Sequence, residues 1–198
     1  MKYGELNLGQ VEAIVNKLGG MDGVRRFLSG ETTVKAIEQS FAIWKTIKLG
    51  TGLKTANDFR KALKQNGCKI GDWGDDILSK PAFTASETET EVNLVVVSVA
   101  ELGFKEGATR KDIYERAISL GLELCPNEVG PQLRLQYKDQ PNGEWLQIAM
   151  EPISDSADYL SIFSVEHDKV DLWLFGPHGD PGYFWLGSYR FVFVRSCK

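Results

Sequence analysis

The sequence lacks the features that mark most membrane and secreted proteins. No apolar run approaches the roughly 20 residues that a membrane-spanning helix needs. The opening residues, MKYGELNLGQ, lack the basic start and the apolar stretch of a signal peptide. We therefore expect a cytoplasmic protein that does not enter a membrane.

Cysteine and histidine are also scarce. Cys68, Cys125 and Cys197 are widely spaced and odd in number, which predicts free thiols in a reducing compartment. The two histidines are His167 and His178, and no HExxH, GxSxG or GxxxxGK[ST] motif is present. The sequence accordingly predicts no cofactor and no metal site.

What is present is an ordinary globular composition with an uneven distribution of charge. The chain has 198 residues, of which 42% are hydrophobic and 25% charged, and its net charge is −4. Residues 1–80 carry 13 Lys and Arg against 9 Asp and Glu, whereas residues 81–198 carry 10 against 18. A change of sign between halves is compatible with a nucleic-acid-facing end, with two surfaces that dock on each other, or with no function.

Hydrophobic periodicity predicts an α+β protein: a small N-terminal helical unit followed by an antiparallel sheet with one packed helix. Helices are expected after the caps Thr55 and Thr109. The polar stretch TASETETE places the boundary between a helical unit, residues 1–85, and an α+β unit, residues 86–198. Strand patterns occupy residues 92–100, 131–137, 144–153, 159–166, 169–175 and 188–195.

Four stretches resemble a family of uncharacterised bacterial proteins. They are QVEAIVNKLGGMDGVRRFLSGE, WKTIKLGTGLKTANDFRKAL, ELCPNEVGPQLRLQYKDQPNGEWLQIAMEPISDS and the closing YRFVFVR. Together they cover most of the chain. The resemblance implies a bacterial, soluble protein that forms a unit over its whole length, and it implies no activity or site residue.

The favoured functional hypothesis is a non-catalytic binding module that contacts an unknown protein or small ligand. Residues 172–194 hold eight of the 21 aromatic residues, on either side of the loop GPHGDPG. Aromatic side chains on a loop of a rigid sheet offer large contact area at low entropic cost. The proposed contact surface is the loop of residues 176–187, and its candidate residues are His178, Asp180, Tyr183, Phe184 and Trp185. This hypothesis requires the last three side chains to be accessible, and burial as a third apolar layer is the alternative.

A second hypothesis is a nucleic-acid-binding regulator, because cations concentrate between residues 41 and 70. The candidate residues are Lys45, Lys48, Lys54, Arg60, Lys61, Lys64 and Lys69. Trp44 or Trp73 would stack on a base if exposed. The hypothesis requires the cations to converge, and a Lys-rich helix face that is only solvated is the alternative.

The third hypothesis is a hydrolase or metal-dependent enzyme that uses His167 or His178, since both lie beside acidic residues in EHD and HGD. It requires the two histidines to share a cleft. The alternative is that Asp168 and Asp180 are turn residues whose side chains accept bonds from nearby backbone amides.

Overall fold

The computed structural model describes residues 7–33 and 41–195, and the chain divides into two compact units, residues 1–39 and 40–198. The boundary predicted at residues 85 and 86 falls inside the second unit. The two boundaries differ because part of the predicted helical unit belongs to the main sheet. Its strands there are residues 45–49 and 68–70. No described helix is long and apolar enough to cross a bilayer.

The first unit contains two short helices, α1 (Leu8–Lys17) and α2 (Gly20–Leu28). Asn7 caps α1 by accepting a hydrogen bond from the Gln10 amide. Gly19 separates the helices with a φ of 89°, a conformation that glycine adopts without steric cost. The stretch TTVKAIEQSFAIW, residues 32–44, has the apolar spacing of a further helix, and this prediction falls largely on residues 34–40, outside the described residues.

The second unit is α+β. Its helices are α3 (Ala56–Gln65), α4 (Asp72–Leu78), α5 (Arg110–Ser119) and α6 (Val129–Gln136). Its strands are β1 (Lys45–Leu49), β2 (Cys68–Ile70), β3 (Thr90–Ser98), β4 (Ala108–Thr109), β5 (Leu122–Glu123), β6 (Trp145–Ile148), β7 (Ile153–Ser154), β8 (Leu160–Ser161), β9 (Ser164–Asp168), β10 (Asp171–Phe175), β11 (Phe184–Trp185) and β12 (Arg190–Arg195).

The main sheet is mixed, which corrects the prediction of an antiparallel sheet. Its order is β1-β3-β12-β6-β9-β10-β2, with β5 also paired to β12. β12 runs parallel to β6, and β10 runs parallel to β2, whereas the other pairs are antiparallel. Sequence patterns indicate hairpins such as β9–β10, but they do not indicate pairing across 100 residues.

Helices cover both faces of this sheet, not one as predicted. On one face, Tyr114 of α5 packs edge-on against Phe191 and Phe193, at ring-centroid distances of 6.2 and 6.1 Å. The opposite face is covered by α6, which contacts β1, β9 and β10. Side chains alternate between the two faces along each strand, so the core forms on both sides of the sheet.

The stretch 131–137 is helical up to Gln136, although its alternation of Leu with polar residues predicts a strand. The helix α6 is buried nearly all round, including Gln132 and Arg134, so it lacks the polar stripe that would reveal a helical period. Pro131 lies in its first turn, where a missing amide proton costs nothing. Gly130 lies against Phe163, which closes the gap between α6 and the sheet.

Candidate ligand-binding cleft

A cleft of about 220 Å³ opens where three separate segments of the second unit meet. One is α4, the second is the β7–β8 hairpin, and the third is the chain that leaves β10. We call it the aromatic cleft. It is lined by Trp73, Asp155, Tyr159, Ser161, Gly176, Pro177 and His178.

A small three-stranded arrangement places the polar side chains on one side. β7 pairs with β8, and β8 is bridged on its other side to His178 through Ser161. Ile162 donates to the Pro177 carbonyl at 3.0 Å and Gly179 donates to the Leu160 carbonyl at 2.7 Å. Ser161 and His178 therefore form a non-hydrogen-bonded pair of an antiparallel ladder. In such a pair the two Cα atoms are about 4.5 Å apart and the side chains are neighbours.

α4 closes the other side of the cleft and is tied to the hairpin by polar contacts. The Ser156 amide donates to Asp76 at 2.6 Å, and the Ser156 hydroxyl donates to the same carboxylate at 2.7 Å. These bonds lower the pKa of Asp76 below its usual value, and Lys80 contacts both residues. Gly176 approaches the backbone of Trp73 so closely that a Cβ atom would lie 2.6 Å from its carbonyl carbon.

The walls are aromatic and accessible, whereas the polar residues beneath them are buried. Trp73 is 53% exposed and Tyr159 is 64% exposed, but Asp155 is 5% exposed and Ser161 is 4% exposed. The His178 ring stacks on Tyr183 with centroids 4.9 Å apart and an interplanar angle of 20°. The cleft thus combines stacking surfaces with a small number of fixed polar groups, as ligand pockets do.

Several of these polar groups have free hydrogen-bonding capacity. Oδ1 of Asp155 accepts bonds from the amides of Ala157 and Tyr159 at 2.8 and 2.9 Å. Within residues 41–195, Oδ2 of Asp155, the Ser161 hydroxyl and the His178 ring form no side-chain hydrogen bond. In the described part of the chain, no lysine or arginine lines the cleft.

The structure gives the predicted loop residues different positions and roles. His178 lines the cleft. Tyr183 stacks on the His178 ring and is itself exposed. Asp180 accepts a bond from the Gly182 amide at 2.8 Å, which is the turn role considered as its alternative. Phe184 is exposed, but it does not line the cleft, and its ring lies against Gly107.

The prediction that the Trp185 side chain is accessible is wrong. Trp185 is 4% exposed and cannot present its ring to a partner. β11 pairs with β4, and the alternation of side chains turns Phe184 outward and Trp185 inward. The Trp185 ring packs edge-on against Tyr189 and Phe191, at centroid distances of 5.0 and 5.4 Å.

Four of the seven candidate cations are paired with carboxylates. Lys45 pairs with Asp139 at 3.7 Å, Lys48 with Glu89 at 2.8 Å, Arg60 with Asp75 at 2.5 Å and Lys69 with Asp171 at 2.6 Å. Lys54, Lys61 and Lys64 form no ion pair with any described residue.

The two candidate stacking residues of the nucleic-acid hypothesis differ in availability. Trp44 packs edge-on against Tyr137 with centroids 4.9 Å apart, whereas Trp73 is exposed in the aromatic cleft. The carboxylate partners of the cations reduce the local positive potential on which nucleic-acid binding depends.

The two histidines do not share the cleft. His178 lines it, whereas His167 lies in β9 with Nδ1 2.5 Å from the Gln140 carbonyl oxygen. Residues 7–33 and 41–195 contain no cluster of three or more His, Cys, Asp or Glu arranged to hold a metal ion. Cys68 and Cys125 are buried free thiols, and Cys197 lies outside the described residues.

Sequence reasoning identified His178 of the cleft and missed most of the other lining residues. The sequence suggests Trp73 only as a base-stacking residue. Asp155 belongs to the turn SDSAD, and a turn signal does not say which way its carboxylate points. Tyr159 and Ser161 lie in a predicted strand pattern, and only the pairing of β8 with β7 and with His178 brings them into the site.

Comparison of the chain with protein-family models, with curated proteins and with solved structures finds no match. The resemblance to a family of uncharacterised bacterial proteins stays a prediction. The geometry of the aromatic cleft is therefore the evidence that bears on function.

Proposed function

We propose that this chain is a non-catalytic binding protein whose ligand site is the aromatic cleft. The single observation that carries the proposal is the meeting of two exposed aromatic side chains, Trp73 and Tyr159, with a buried carboxylate that keeps one oxygen free. Burying exposed aromatic surface gains roughly 25 cal/mol per Å². A ligand in the cleft would obtain that gain and a specific polar contact together.

The exposed residues beyond His178 support a role for the 176–187 loop as the rim of the site. Tyr183, Phe184 and Leu186 are all exposed, and Tyr183 stacks on the His178 ring that lines the cleft. The loop is held by the bond from the Arg110 amide to the Tyr183 carbonyl at 2.9 Å and by pairing of β11 with β4. A rigid rim lowers the entropic cost of contact with a ligand larger than the cleft.

The test is a ligand-observed NMR screen of a chemically diverse fragment library against the full chain. Trp73→Ala removes one wall of the cleft, and Trp145→Ala is the matched control because Trp145 of β6 is 50% exposed but does not line the cleft. We expect hits that the Trp73 variant loses and the Trp145 variant keeps. Absence of hits, or equal loss in both variants, would contradict the proposal.

A second proposal is nucleic-acid binding through Lys54, Lys61 and Lys64, which have no carboxylate partner in the described part of the chain. Contacts with phosphates make affinity fall steeply with salt. The test is DNA and RNA binding across a salt series, with Lys61→Glu/Lys64→Glu beside the wild type. Binding that is salt-sensitive and lost in the variant is expected; no binding at low salt would remove this proposal.

A further inference from the structure

We propose that the aromatic cleft selects an organic cation, a substituted ammonium group that contacts Trp73 and Tyr159 and pairs with Oδ2 of Asp155. This inference rests on the proposed binding function and specifies the chemical class of the ligand.

The charge balance of the cleft is the first argument. Among the described residues that line it, Asp155 is the one acidic residue, and none is a lysine or arginine. Oδ1 is occupied by two backbone amides, whereas Oδ2 has no hydrogen-bond partner in residues 41–195. A carboxylate that is 5% exposed loses much of its hydration, and a cationic ligand offsets that cost better than a neutral one.

A basic residue nearby does not already neutralise this carboxylate. The ammonium group of Lys80 is engaged by other partners, since it is 3.2 Å from Asp76 and donates to the Ser156 hydroxyl at 2.6 Å. Among the described salt bridges, none involves Asp155. The charge of Asp155 is therefore available to a ligand.

The aromatic walls are the second argument. The face of an indole or phenol ring attracts a cation within about 6 Å of its centroid, with tryptophan the strongest. Trp73 and Tyr159 both line the cleft and are exposed. Alkyl groups on an ammonium nitrogen also bury apolar surface against these rings, which a hydrated metal ion does not do.

The size of the cleft is the third argument. Its volume of about 220 Å³ is below the roughly 300–1,000 Å³ of pockets for drug-sized ligands. A single head group fits such a space. The remainder of a longer ligand would extend over Tyr183, which stacks on the His178 ring and is exposed.

The experiment compares choline with 3,3-dimethylbutan-1-ol, its neutral isostere, by calorimetry on the full chain. We expect choline to bind at least about tenfold more tightly than the isostere, since only the cation is attracted by the faces of the aromatic rings and by the carboxylate. Asp155→Asn should weaken choline binding by at least about tenfold and leave binding of the isostere unchanged. The amide oxygen of asparagine can still accept the Ala157 and Tyr159 bonds, so this variant keeps the hairpin.

Trp73→Ala should abolish choline binding, whereas Trp145→Ala should not alter it. Equal affinity for choline and the isostere, or choline binding that Asp155→Asn does not weaken, would overturn the inference. Fragment hits in the cleft that are all neutral or anionic would overturn it too and would leave the proposed binding function standing. If no compound of any charge binds the cleft, the proposed function fails as well.

Discussion

Gly176→Ala is the substitution that most directly tests how the aromatic cleft is built. An alanine Cβ at this position would lie 2.6 Å from the carbonyl carbon of Trp73 and 2.7 Å from the Gly74 nitrogen. Unstrained carbon contacts are about 3.5–4.0 Å long. Because the obstructing atoms belong to the backbone, α4 and the loop must separate by roughly 1 Å. Overpacking of this kind costs about 1–3 kcal/mol.

The measurement is urea unfolding of the full chain followed by tryptophan fluorescence. A loss of about 2 kcal/mol, with a slope of about 2 kcal/mol per molar urea, lowers the midpoint by roughly 1 M. Gly182→Ala is the matched control in the same loop, because its nearest neighbour would be Asp180 Oδ1 at 3.3 Å, on an exposed side chain that can move. We expect the control to stay within about 0.5 kcal/mol of wild type.

The same variant should weaken ligand binding, since displacement of α4 moves Trp73 away from His178. Equal unfolding midpoints for Gly176→Ala and Gly182→Ala would refute the close approach of α4 to the loop. A destabilised variant that binds choline as tightly as wild type would instead refute the role of this approach in shaping the cleft.

Three further predictions concern polar groups outside the ligand contacts. Arg134→Met should destabilise the chain by roughly 3 kcal/mol in urea unfolding, because three buried acceptors lose their hydrogen-bond donor. These acceptors are the Gln140 side chain and the backbone carbonyls of Tyr137 and Glu166. An unchanged unfolding midpoint would contradict this prediction. Burial raises the pKa of Glu166, so the free energy of unfolding should fall as pH rises through that raised pKa. The variant Glu166→Gln should not show this fall, and it should be more stable than wild type at pH 7. Hydrogen bonds from Ser156 lower the pKa of Asp76, so the tether should stabilise the fold above about pH 4 and be lost as pH falls through the lowered value. Thermal melts from pH 2 to 7 should show this loss in wild type and not in Asp76→Asn.

Local elements were predictable from the sequence because their signals lie within a few residues of each other. The helices α3 and α5 begin where Thr55 and Thr109 accept bonds from the amides three residues later, as their sequences predict. The strand β12 and the β9–β10 hairpin also occur where the apolar alternation indicated them. The coarse α+β class follows from these elements.

The topology and the site were not predictable in the same way, because distant residues decide them. The mixed sheet depends on pairing of β2 with β10 and of β6 with β12. The spacing of cations was visible in the sequence, but their carboxylate partners, such as Glu89 for Lys48 and Asp171 for Lys69, are 41 and 102 residues away. The aromatic cleft likewise joins three segments that no local pattern connects.

The most direct test of the central proposal is the response of the tryptophan indole resonances to choline. The chain has five tryptophans, and Trp73 is the one that lines the aromatic cleft. Selective ¹⁵N labelling of tryptophan resolves these signals, and Trp73→Ala and Trp145→Ala assign the two that matter. We predict a saturable shift of the Trp73 indole signal while the Trp145 signal stays in place. No shift at Trp73, or equal shifts at both residues, would contradict a ligand site in the cleft.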